Sequence, residues 1–235
     1  LIGTDNVPND EEGHGSHVAG IIAGENNGSG YHGVAYDATL YIYKVLNDSG
    51  SSVGNSIASG ITKARGDGVD IMNLSLGDSG TIGSTCNSAS SCETSLGSTL
   101  YTELEASGAA GKILVWAAGN DGNSSPSVMS GAAIYDDDFK ETTVIVVATD
   151  TYTDFGGGNK IASYSNRCGS AAAICIAAPG STVWSSDYAS TSNHSYKSGT
   201  SMAAPLVAGG LAIIKQEFSS LTNAQVVDRL FATAT

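Results

Sequence analysis

The sequence is poor in positive charge and in charge altogether. Lys and Arg number 10 against 23 Asp and Glu, a formal net charge of −13, and charged residues are only 14% of the 235 residues. Such a surface repels nucleic acid and anionic lipid, and neither is expected as a partner. The longest apolar run, "MAAPLVAGGLAII", falls short of the roughly 20 residues a spanning helix needs, so no membrane contact is expected from this domain. No cysteine pair has CxxC spacing, which argues against zinc and redox chemistry. His14 and His17 lack both the Glu of HExxH and a clear third ligand, which argues against a metal there. An initiator Met is missing too, and the abrupt opening "LIGTDN" is expected to mark an excerpt from a longer precursor.

Glycine, at 30 residues, is well above its usual share of about 7%. That suits a compact, turn-rich extracellular protein. Cys86 and Cys92 flank a Ser-rich loop, and Cys168 and Cys175 flank "GSAAAI". Four cysteines allow three pairings; two local bridges are the simplest, and they favour an oxidising compartment. The length fits one domain over 1–235. Short β-branched runs at 39–46, 69–76, 112–118 and 143–149 read as strands covered on both faces. Helical spacing recurs between them, at 53–65 with Val53, Ile57 and Ile61, and at 98–110 with Leu100 and Leu104. The alternation predicts an α/β three-layer sandwich, a mostly parallel central sheet flanked by helices. Two helices close the chain, one after Thr200 with Pro205 in its opening turn, one at Thr222 with a "TNAQ" capping box and a Leu221–Val226 staple. Residues 78–98 read as a surface insertion carrying the first disulfide.

Three segments could carry chemistry. In "SGTSMAAP", Ser201 would open a long apolar helix, where free N–H groups and the dipole favour a developing oxyanion. Taken alone, Thr200 or Ser201 reads better as an N-cap. In "VWAAGND", a buried strand runs into Gly119 and Asn120, whose amide could donate to an oxyanion, although Gly-Asn by itself is a turn signal. In "GHGSHVAG", His14 lies in the first turn and faces a cleft, while His17 reads as a core histidine one turn further in.

Together these segments resemble the subtilisin-like serine proteases, the subtilases. "HGSHVAG" at 14–20, "NLSLG" at 73–77, "AAGN" at 117–120 and "GTSMAAP" at 199–205 follow the family's order across nearly the whole chain. The resemblance implies a secreted serine endopeptidase with Ser201 as nucleophile, His14 as general base and Asn120 in the oxyanion hole. It implies an extended polypeptide substrate beside Ser75, Leu76 and Gly77, with Ala117, Ala118 and Gly119 as a further wall. Small residues there leave room for a large apolar side chain, which Trp116 and the Asp78 insertion could reshape. "GDSG" at 77–80 resembles a chymotrypsin-type nucleophile motif but follows a parallel-type strand, so Ser79 is set aside.

The family's aspartate motif has no counterpart here. Asp5 lacks an apolar strand before it, and Asp10 is closer still to His14. The first strand and its Asp are therefore expected upstream of Leu1. The excerpt alone is expected to be nearly inactive, since loss of that carboxylate in a serine protease costs about 10⁴ in turnover. The alternative is an inactive subtilase-like binding domain. No cofactor is required for the chemistry. The metal is left open: the loop "GENNGSGYHG" at 24–33, with Asn27, matches a structural calcium loop of many subtilases. A pro-peptide partner is implied. "SNRCGSAAAICIAAPG" and the closing "LTNAQVVDRLFATAT" resemble subtilase passengers of bacterial autotransporters, which implies secretion or display on the cell surface.

Overall fold

Four apolar runs lie side by side as a parallel sheet in the order of the chain: β1 (Ile71–Leu74), β2 (Ile113–Ala117), β3 (Thr143–Thr149) and β4 (Cys175–Pro179). The computed structural model describes residues 9–28, 30–52, 54–150, 160–188 and 193–234. Register is set by pairs such as Leu74 with Trp116 and Ala117 with Val146. Every residue of β2 and β3 is buried, as expected of strands covered on both faces.

Helices α1 (His14–Ala23), α2 (Ser56–Gly66), α3 (Ala89–Leu96), α4 (Ser98–Ala109), α5 (Val128–Gly131), α6 (Asp137–Lys140), α7 (Thr200–Glu217) and α8 (Asn223–Thr233) flank the sheet. Alternation along the strands divides the core. Leu114, Trp116, Ile145 and Val147 join Ile57 and Ile61 of α2 and Leu104 of α4. Val115, Ala117, Val144 and Val146 join Ala203, Ala204 and Leu211 of α7 and Val226 of α8 on the other face. Full burial of a side chain such as Leu104 or Leu114 contributes about 1.5–3 kcal/mol. A hairpin of β5 (Val183–Ser186) and β6 (His194–Lys197) packs over α1. Thr222 caps α8 through a reciprocal pair with Gln225, and Leu221 and Val226 lie in one cluster.

Three sequence expectations change. The run 39–46 forms no ladder; only Leu46 pairs, in an isolated bridge with Ser52, while Tyr41 and Ile42 are exposed. With no neighbouring strand among the described residues, its apolar pattern has nothing to pair with. Residues 78–98 are not a surface insertion: Ile82, Cys86 and Cys92 are buried in the core, and α3 forms inside the segment because Ser88 and Ser91 make a capping box. The helix expected at 53–65 runs Ser56–Gly66, and Val53 lies outside the described residues. The disulfides are Cys86–Cys92 and Cys168–Cys175.

Candidate active site

In a parallel sheet the carboxyl ends of the strands form a common edge, where ligands bind. Here the loops after β1 and β2 meet the first turn of α7 at that edge. Leu76, Gly77, Ala117, Gly119, Asn120 and Ser201 line one open cleft of about 300 Å³, together with Asp78 and Asp121.

Ser75 and Ala118 act from behind it. The Ser75 hydroxyl donates to the Ser201 carbonyl at 2.9 Å and accepts from Asn73 Nδ2 at 2.9 Å, while the Ser75 carbonyl accepts from Ser201 Oγ at 3.4 Å. The loop after β1 is thereby fastened to the start of α7. Ala118 is fully buried, and its carbonyl accepts from Ser127 N at 2.9 Å and from Asn166 Nδ2 at 3.1 Å.

Thr200 does not cap α7. Its hydroxyl and its backbone N–H both donate to Asn120 Oδ1, at 3.0 and 2.8 Å, and the hydroxyl accepts from Gly119 N at 3.2 Å. With Oδ1 doubly engaged, Nδ2 is the amide atom left to donate toward the cleft. Thr200 N is taken by Asn120 and Met202 N by the Gly199 carbonyl at 3.0 Å, while Ser201 N between them sits where a helix start has no carbonyl one turn back, beside its own hydroxyl. Two donors and a hydroxyl converging at a helix start can stabilise an oxyanion formed on the serine.

Helix α1 packs on α7 through Val18, Ile21 and Met202, with Ile22 and Leu206 against them. His14 thus opens one helix of the pair and Ser201 lies in the first turn of the other. The His14 backbone N–H donates to Glu12 Oε2 at 3.0 Å. Burial pushes the His14 ring below the ordinary 6.5; Glu12 and Asp10 pull it up and Lys197 pushes it down. His17 is fully buried, with Nε2 at 3.1 Å from the carbonyls of both Val183 and Ser195, and Nδ1 has no partner among the described residues.

Asp10 is not free to orient His14. Its Oδ1 accepts from Gly13 N at 2.8 Å and Glu12 N at 3.2 Å, and its Oδ2 from Ser16 N at 2.6 Å. Burial raises this carboxyl, but these bonds outweigh it and hold it below its ordinary value. Asp5 lies outside the described residues.

Asn166 was not singled out from the sequence. It is fully buried; Oδ1 accepts from Asp121 N at 3.2 Å and Asn123 N at 2.9 Å, and its own N–H donates to the Gly119 carbonyl at 2.9 Å. One amide thus braces the loop that carries Asn120. Gly119, at φ 108°, is needed twice over: its backbone is left-handed, and a Cβ would collide with the Asn166 amide. No local pattern marks Asn166, because its partners lie far away in sequence. Thr200 did stand inside a motif, but its tie to Asn120 is tertiary.

The loop 24–33 carries two side-chain amides, Asn26 and Asn27, the Glu25 carboxylate and backbone carbonyls. Among the described residues the acidic and His groups close enough to share an ion are Glu105, Asp136 and Asp138, none of them in this loop.

A serine at a helix start, an anchored amide and a cleft at the strand ends are the features to set beside known proteins. A profile described as the Subtilase family matches residues 2–235, and the chain belongs to that family. It is 37% identical over 227 residues to Subtilisin DY of Bacillus licheniformis, covering 96% of this chain and 72% of that protein. It is equally 37% identical over 227 residues to Subtilisin E of Bacillus subtilis (strain 168), of which it spans 51%. Among solved structures, Sphericase superposes with a TM-score of 0.74 at 31% identity, over 94% of this chain and 69% of that one.

Proposed function

We propose that this chain is the catalytic domain of a secreted or surface-displayed serine endopeptidase. The observation that carries the reading is the meeting of Ser201, Asn120, Gly119 and the Leu76–Gly77 segment around one cleft. Ser201 Oγ attacks the carbonyl carbon of the scissile peptide as its proton passes to the His14 ring. The oxyanion rests on Asn120 Nδ2 and Ser201 N, and collapse breaks the C–N bond as His14 returns the proton to the leaving amine. Water, with His14 again as base, then frees the acyl group from Ser201. The extended substrate runs beside Ser75–Gly77.

Among the described residues β1 pairs only with β2, and the run at Tyr41 and Ile42 is exposed. Both disulfides support an oxidising compartment. No helix among the described residues is long and apolar enough to cross a membrane. A pro-peptide is the second partner proposed, and the loop 24–33 is proposed as the seat of a structural calcium.

The test is a fluorophosphonate probe applied to the full-length protein. Labelling that disappears in Ser201→Ala, together with cleavage of a denatured protein substrate, is expected. Absence of both would favour a binding domain without catalysis.

A further inference from the structure

The Ser201 cleft holds two carboxylates and no cationic side chain. Asp78 follows Gly77 on the wall made by the loop after β1, and Asp121 follows Asn120 on the wall made by the loop after β2. They are not neighbours on one surface. They come from two elements, and both line the cleft that holds Ser201.

Neither acid has a partner of opposite charge among the described residues: the ion pairs found there engage Glu11, Asp48, Asp67, Glu103, Asp137 and Asp70 instead. Asp121 is exposed at the rim, its backbone N–H fixed by Asn166. Asp78 sits deeper, where its oxygens accept from Val128 N at 3.2 Å and Met129 N at 2.9 Å. A carboxylate has about four lone-pair sites, so these bonds orient Asp78 without exhausting it. Burial raises the Asp78 carboxyl, the backbone bonds from Met129, Val128 and Gly80 offset part of that rise, and the negative charge of Asp121 adds to it. A cation entering between them would relieve both the desolvation and the repulsion.

Substrate geometry supplies the occupant. A substrate with its scissile carbonyl carbon at Ser201 Oγ and its oxygen at Asn120 would carry the side chain of that residue into the cleft walled by residues 76–79 and by Ala117, Gly119 and Asp121. Small residues at Gly77, Ala117 and Gly119 keep that space open for a long side chain. We propose that Asp78 and Asp121 are specificity-determining residues, and that the enzyme cleaves on the carboxyl side of lysine or arginine. This rests on the protease reading and replaces the apolar side chain that the small wall residues alone would suggest. Lysine and arginine suit the site because an apolar stem lies along the small residues while the charged head reaches the carboxylates.

The experiment uses the full-length protein and peptide substrates identical except for Lys, Arg, Leu or Phe before the scissile bond. The expected kcat/KM for Lys and Arg exceeds that for Leu and Phe by about tenfold or more, the scale of a desolvated charge pair. Asp121→Asn, at the exposed rim, is expected to lower the Arg-to-Phe ratio by about tenfold, and Asp78→Asn to lower it too. Thermal melting and fluorophosphonate labelling of each variant separate loss of selectivity from loss of fold. A preference for Leu or Phe in the unmodified protein overturns the proposal, as does an unchanged ratio in a folded, labelled Asp121→Asn variant. If the probe labels Ser201 while apolar substrates win, only the selectivity reading fails; if neither labelling nor cleavage occurs, the protease reading falls and this one with it.

Discussion

Thr200 decides what Asn120 can do. An amide with its oxygen held by a hydroxyl and an N–H presents only its NH₂ to the cleft. Asn120→Ala is therefore expected to lower kcat by about 10²–10³ with KM little changed, the scale of one oxyanion donor in subtilisin itself. A large KM change with kcat intact would remove Asn120 from that role. Thr200→Val should cost about tenfold in kcat, because the hydroxyl is lost while the backbone bond to Oδ1 remains; an unchanged kcat would show that the backbone bond suffices. His14 must be neutral to accept a proton, and burial keeps it below 6.5. The acid limb of kcat/KM should follow the titration of that ring. Lys197→Met removes a charge that disfavours the protonated ring, so the limb should move to higher pH; a shift the other way would mean that Lys197 acts on something else.

At the scale of elements, α7 links core and chemistry. Its face of Ala203, Ala204 and Ala208 lets the helix lie close on the sheet, which brings Ser201 to the ends of β1 and β2. Ala203→Leu should cost about 1–3 kcal/mol by overpacking and lower activity by displacing the first turn, measured by denaturant unfolding and by turnover. The strands 112–118 and 143–149, the helices 98–110 and the capping box at Thr222 were legible from periodicity and end signals. The segment 78–98 was not, because its polar composition hides a core built on Ile82 and a buried disulfide. Replacing Cys86 and Cys92 by Ala should cost about 2 kcal/mol or more, since even a short loop loses closure entropy when it is cross-linked.

The whole molecule responds to pH through its buried rings. His14 and His17 are both held below the ordinary 6.5 chiefly by burial, so the unfolded chain binds protons there before the folded one does. Stability from their neutral forms is complete above about 6.5 and is lost as pH falls below it toward the folded values. Melting temperature should drop across that window, and a flat profile would count against burial as the cause. The net charge of −13 adds a long-range attraction for cationic peptides that salt should weaken.

The sequence by itself determined the fold class and the family, because those follow from local periodicity and from short motifs in a fixed order. Tertiary structure alone decided that Thr200 orients Asn120, that Asn166 braces its loop, that Asp10 is spent on a helix start and that Asp78 and Asp121 line one cleft. Each of these is a contact between segments remote in the chain or a competition for hydrogen bonds. Neither leaves a periodic trace in the sequence, since the partner is chosen by where the sheet brings its strands to an end.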